Sequence, residues 1–260
     1  MKVLGIESAA LVASVALVTD EAVTAEYTVN FKKTHSQTLL PMIDEITRML
    51  ELDLGTVDAI AVSGGPGSFT GLRIGSATAK GLGLALQKPL IHVPTLDAMA
   101  YNLYGADGLI CPMMDARRQQ VYTGLYRFKR EFEVIKESCA MNIRELLQEL
   151  NDRGERVIFL GDGAEAYAAA IRQEMTAPFD FAPAQANRQR AASVAALGMV
   201  YLAEGKTETA ADHRPDYLKK AQAERELEEA KRQGKTQELA AGHSVGTGDS
   251  PEAEKPGGAG

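Results

Sequence analysis

Apolar positions along the chain fall into two periodicities. Short runs rich in β-branched residues at 3–6, 14–18 and 26–31 predict three strands joined as a meander. From His35 to about residue 52, Leu39, Leu40, Ile43, Ile46, Met49 and Leu50 recur at helical spacing. They predict an amphipathic helix, capped by Thr34 or Ser36, in which Pro41 is tolerated only in the first turn or at a kink. Residues 59–62 then read as a buried parallel strand that stops at Ser63-Gly64-Gly65-Pro66-Gly67. Ser68 or Thr70 caps a helix over 71–87, Lys88-Pro89 ends it, and 90–93 is the next strand. This is one βαβ unit. Pro94 to Ala100 reads as a further helix start, with Thr95 as its cap.

The second half begins afresh near residues 104–107 with strands at 109–114, 120–126 and 132–135. A helix over 142–151, a strand at 157–160, a helix over 164–174 and an alanine-rich helix over 193–204 follow. Both halves thus run meander first, then alternating helix and strand, which predicts an α/β protein of two similar lobes, 1–105 and 106–218, with mixed sheets flanked by helices. Residues 219–260 form a tail: charged and helix-prone to about 233, then Gly, Ser, Pro and Glu of a composition that reads as disordered.

One helix has an unusual composition. Gly71, Gly75, Ala79 and Gly83 recur every four residues and make a stripe nearly free of side chains. Interior glycines cost ~1 kcal/mol each relative to alanine, so another backbone must come close there. That neighbour is either a strand of the same sheet or a helix of a partner. The loop before the helix could form an anion-binding nest, but the Walker ending Gly-Lys-Ser/Thr and the Rossmann spacing are both missing. If a nucleotide binds, Glu7, Ser8, Gly65, Gly67 and Ser68 are the residues it meets.

Composition narrows the function classes. The 260 residues carry 28 basic and 35 acidic side chains, a net charge of −7 that offers no general attraction to nucleic acid. Glu7 interrupts the amino-terminal apolar run before a signal-peptide core forms, and Lys80, Gln87, Lys88 and Pro89 break the apolar stretch 74–91 before it reaches membrane-spanning length. Two cysteines, Cys111 and Cys139, suit reduced core thiols, so a cytoplasmic protein is expected. None of the four histidines lies three to five residues from another, so no helical metal pair is expected, and His92 reads as a core histidine. Neither a Gly-x-Ser-x-Gly elbow nor a nucleophile–base pair supports a hydrolase or peptidase.

Four segments carry a specific resemblance: Leu4-Gly5-Ile6-Glu7-Ser8 with Ser14 to Leu17, Ser63-Gly64-Gly65-Pro66-Gly67-Ser68-Phe69-Thr70-Gly71-Leu72-Arg73, Met114-Asp115-Ala116-Arg117 with Val121-Tyr122, and Pro215-Asp216-Tyr217-Leu218. From Met1 to about Leu218 the chain resembles the TsaB family, formerly YeaZ, of tRNA threonylcarbamoyladenosine biosynthesis. The resemblance implies the two-lobed fold of actin, Hsp70 and the sugar kinases (ASKHA). It also implies a non-catalytic role beside the catalytic paralogue TsaD and the ATPase TsaE, with ATP and metal used by the assembled complex, tRNA reached through it, and none bound by this chain alone. TsaD carries two metal-binding histidines after the strand that follows the Gly-Pro-Gly loop; the matching positions here are Thr95 and Met99. Glu7-Ser8 stand where the family usually has Asp-Thr.

The family pairs through the amino lobe, which places the expected contact on His35, Leu39, Ile43, Gly71, Leu72, Gly75, Ala79 and Gly83. A homodimer through the same face is expected without TsaD. The rival expectation is an independent ASKHA-type ATPase or kinase, for which Glu7, Asp97, Asp115 and Asp162 are the candidate magnesium-holding carboxylates.

Overall fold

Two five-stranded sheets repeat one plan. The first is built from β1 (Lys2–Glu7), β2 (Val12–Thr19), β3 (Ala22–Asn30), β4 (Ala59–Gly65) and β5 (Leu90–Pro94) in the order β3-β2-β1-β4-β5. The second contains β6 (Leu109–Asp115), β7 (Gln120–Phe128), β8 (Phe132–Asn142), β9 (Val157–Leu160) and β10 (Phe179–Phe181) in the order β10-β9-β6-β7-β8. In each, the opening strand pairs antiparallel with the second and parallel with the fourth. The computed structural model describes residues 1–218 apart from residue 33; the tail from residue 219 lies outside the described residues.

The first sheet is covered on both faces, which explains its continuous apolar strands. Leu4, Ile6, Ile60 and Val62 face α1 (His35–Met49) and α2 (Phe69–Leu86), whereas the alternate residues Val3, Ala59 and Ala61 face α7 (Ala191–Ala203). Pro41 lies inside α1 beyond its first turn, on the exposed side. Its missing N–H therefore frees a carbonyl toward water rather than into the core.

The last helix crosses between the halves. Sequence order groups it with the second lobe, but α7 packs against β1, β2, β4 and β5 of the first sheet. Its own first residues supply no side-chain cap. The first hairpin does so instead: Ala191 N donates to Ser14 Oγ at 3.0 Å, Ala192 N to Glu26 Oε1 at 3.2 Å, and Arg190 pairs with Glu26.

Elements of the second half follow the same rules. Asn142 caps α4 (Ile143–Arg153) by accepting from Arg144 N, and Gly154 ends it in the left-handed conformation. The single helix expected over 164–174 divides at Tyr167 into α5 (Asp162–Ala166) and α6 (Ala168–Glu174). Strand β10 is three residues long, too short for a periodicity to reveal. Between the sheets, Leu72, Leu96, Met99, Ile110, Met114, Tyr126 and Leu160 form a shared apolar cluster around α3 (Thr95–Tyr101).

Candidate functional site

Three of the four segments singled out in the sequence meet at the carboxyl end of β1 and β4. Ser8 Oγ donates to Gly71 O at 2.9 Å, Ser8 N to Ser63 Oγ at 3.3 Å, and Ser68 N to Ala9 O at 2.6 Å. Asp216 N donates to Gly64 O at 2.6 Å, and Tyr217 packs on Phe69 with ring centroids 4.8 Å apart. The Arg73 guanidinium also lies over the Phe69 ring, 3.9 Å from its centroid. The fourth segment lies on the second sheet, in β6 and the turn into β7.

The glycine stripe of α2 is used inside the chain. A Cβ on Gly71 would stand 2.1 Å from Ser8 O, and one on Gly75 would stand 2.2 Å from Ser8 Oγ. Gly83 meets Leu90 and Ala210, and Ala79 lies in the core. Of the two neighbours the spacing allows, the chain's own backbone is the one found. This corrects the expected partner contact: Leu39, Ile43, Gly71, Leu72, Gly75, Ala79 and Gly83 are all buried within the chain. His35 alone is part-exposed, with Nε2 3.0 Å from Val12 O. The outer faces of α1 and α2 instead present Leu40, Met49, Arg73, Ala77, Gly81 and Leu84, with Leu84 64 % exposed.

The residues named for a nucleotide are similarly engaged. Ser68 caps α2 through Gly71 N at 3.3 Å, and Gly65 N donates to Thr95 Oγ1 at 3.2 Å. The amides of Gly65, Ser68 and Gly71 are therefore engaged within the chain, and Thr95 serves the loop rather than capping α3. Gly65, at φ +122°, is the residue whose backbone requires glycine, and Asp216 O sits where its Cβ would be. Glu7 is wholly buried: Oε1 accepts from Ala9 N at 2.6 Å, Oε2 has no partner, and burial pushes its pKa up to about 7.

The carboxylates a kinase would need are dispersed among several roles. Asp97 accepts from Tyr126 OH at 2.8 Å between the sheets, with its pKa raised by burial to about 6. Asp162 Oδ2 accepts from Asp115 N at 3.3 Å, and burial raises the Asp162 carboxyl as well. Among the described residues, Glu7, Asp97, Asp115 and Asp162 make no three-donor metal cluster.

A group of three possible donors does occur elsewhere, at residues the sequence did not bring together. His92, Glu208 and His213 each offer a ligand atom within 4.8 Å of the others. Nor is His92 a satisfied core histidine: its Nε2 makes no hydrogen bond. The 120 residues between the two histidines hide the pair from any local spacing rule.

The repeated 3-2-1-4-5 strand order, with helices between the strands, defines a two-lobed protein of the ASKHA class. The family model described as TsaD, tRNA N6-adenosine threonylcarbamoyltransferase, matches residues 23–227. The tRNA threonylcarbamoyladenosine biosynthesis protein TsaB of Bacillus subtilis is 33% identical over 229 residues, covering 86% of this chain and 96% of that protein. TsaB of Escherichia coli is 37% identical over 129 residues, 49% of this chain and 55% of that protein. YeaZ from Pseudomonas aeruginosa superposes with a TM-score of 0.69 at 25% identity, covering 84% of this chain and 99% of that one. The chain belongs to the TsaB (YeaZ) family of tRNA threonylcarbamoyladenosine biosynthesis proteins. Among the described residues no helix is long and apolar enough to cross a membrane.

Proposed function

We propose that this chain is the non-catalytic partner subunit of a tRNA threonylcarbamoyladenosine synthase, binding TsaD and working with TsaE in transfer of threonylcarbamoyl to the adenosine beside the anticodon. The observation that carries the reading is the fate of two positions. Thr95 and Met99, which the family resemblance matches to metal-binding histidines of TsaD, are both buried, one accepting from Gly65 N and the other packed between the sheets. Neither side chain replaces an imidazole. With the amides of Gly65, Ser68 and Gly71 also engaged, the chain supplies surface rather than a reacting group. ATP and metal belong to the assembled complex, and tRNA is reached through it.

The partner surface is the outer face of α1 and α2, where Leu40, Ala77, Gly81 and Leu84 are exposed on two helices that pack side by side. Without TsaD, a second copy of the chain covers the same face. The test pairs Ala77→Arg with Leu84→Asp, because substitutions in the buried stripe would disturb the fold itself. The double variant is expected to keep its unfolding midpoint, lose TsaD co-purification and abolish modified-nucleoside synthesis with TsaD and TsaE. Undiminished co-purification would remove this placement; full tRNA modification without the chain would remove the role.

A further inference from the structure

The paired histidines have no part in that role, and their setting is more specific than surface chemistry requires. Strand β5 presents His92, and the segment after α7 returns beside it: Leu90 N donates to Glu208 O and Glu208 N to Leu90 O, both at 2.9 Å. A turn follows in which His213 N donates to Thr209 O at 3.2 Å, while Lys80 Nζ of α2 holds the carbonyls of Ala211 and His213 at 3.1 Å each. Backbone contacts therefore fix where all three side chains start.

The side chains converge. Glu208 Oε1 lies 2.5 Å from His213 Nδ1, which sets the orientation of that ring. The His213 side chain is fully buried, and its Nε2 has no partner. His92 Nε2 likewise makes no hydrogen bond, although Asp216 Oδ2 lies 3.2 Å from it. The two rings stand 5.8 Å apart between centroids. A buried ring nitrogen left unpaired costs about 1–3 kcal/mol, and one donor atom from each of His92, Glu208 and His213 lies within 4.8 Å of the other two, close enough to share a ligand. A surface pocket of about 370 Å³ lined by His92, Pro94, Tyr201, Lys206, Thr207 and Glu208 opens onto two of the three donors.

We propose that His92, Glu208 and His213 form a binding site for a divalent transition-metal ion of the zinc class, with Asp216 beside His92 as a nearby fourth donor. Two imidazoles and a carboxylate suit zinc or cobalt and disfavour magnesium and calcium, which take oxygen ligands. Tetrahedral bonds of about 2.0–2.2 Å need only small side-chain shifts from donors within 4.8 Å. The ion clasps the segment 207–216 to β5, and hence to the glycine loop, since His92 fills the space beside Gly64 and Asp216 bonds its carbonyl. Its role is structural.

The experiment uses the full, untagged chain freed of metal by chelation and titrated with Co2+ and with Zn2+. Expected are one equivalent bound, visible cobalt d–d bands of a low-symmetry site displaced by Zn2+, and an unfolding midpoint raised by several degrees with Zn2+. His92→Gln, at a part-exposed ring, and Glu208→Gln should each keep the metal-free midpoint within a few degrees. Each should weaken binding by on the order of 100-fold or more. Failure to bind a stoichiometric ion, or binding that persists unchanged in both variants, would overturn the assignment.

Discussion

The turns that follow the first strand of each sheet occupy equivalent places in the repeated topology and have opposite fates. The turn after β1 is sealed: Glu7, Ser8 and Ala9 are buried beneath the start of α2. The turn after β6 is open, with Asp115, Arg117, Arg118 and Gln119 exposed and the last three at φ of 60°, 54° and 58°. The difference comes from where the glycines sit. In the first repeat Gly67, Gly71 and Gly75 let loop and helix close on the turn itself, against Ser8 and Ala9. In the second, Gly161 and Gly163 close on Met113, inside β6, so the turn is left outside. One topology thus gives a locked end and a loose one, decided by how near one backbone can come to another.

Gly71→Ala should break the locked end most severely. Its new methyl meets a backbone oxygen that cannot swing away, and we expect a loss of about 3 kcal/mol in denaturant unfolding despite the ~1 kcal/mol alanine adds to a helix. Gly81→Ala, on the same helix with nothing within 4 Å, should instead stabilise by ~0.5–1 kcal/mol.

The buried carboxyl of the same turn sharpens the contrast through pH. Glu7 titrates at about 7 when folded against 4.5 for an ordinary glutamate. The folded state therefore holds the proton more tightly, and the stability this contributes is complete below pH 4.5 and lost as pH rises through 7. Glu7→Gln should remove that dependence, so its stability relative to wild type grows between pH 4.5 and pH 7–8 by on the order of 2–3 kcal/mol. Parallel curves across that range would show that Glu7 is not buried as described. At the loose end the effects should be small: Arg117→Gly relieves a left-handed residue and should raise the unfolding free energy by about 0.5 kcal/mol, read as a higher denaturation midpoint at constant slope.

Much of this fold was legible because each element carried its own signal. The meander strands, the period of α1, the βαβ unit with Ser68 as one of two candidate caps and Lys88-Pro89 as its stop, and the helix over 142–151 all follow from local pattern. The candidate site was less legible. The stripe in α2 announced a close neighbour without saying which, and seven of the eight residues assigned to a partner turned out to face the chain's own core. Sequence spacing also placed α7 with the second lobe, although Ser14 and Glu26 of the first hairpin hold its amino end.

What the sequence alone determined was the class: a duplicated α/β plan and the family-specific loop, both written in residues close together along the chain. The tertiary structure alone decided which surfaces are free and which groups meet. It turned the glycines inward onto Ser8, and it brought His213 back beside His92 through the antiparallel return at Leu90 and Glu208. Hydrophobic periodicity and turn chemistry act over a few residues, whereas burial and side-chain convergence depend on contacts between segments from about sixty to more than a hundred residues apart, which no local pattern encodes.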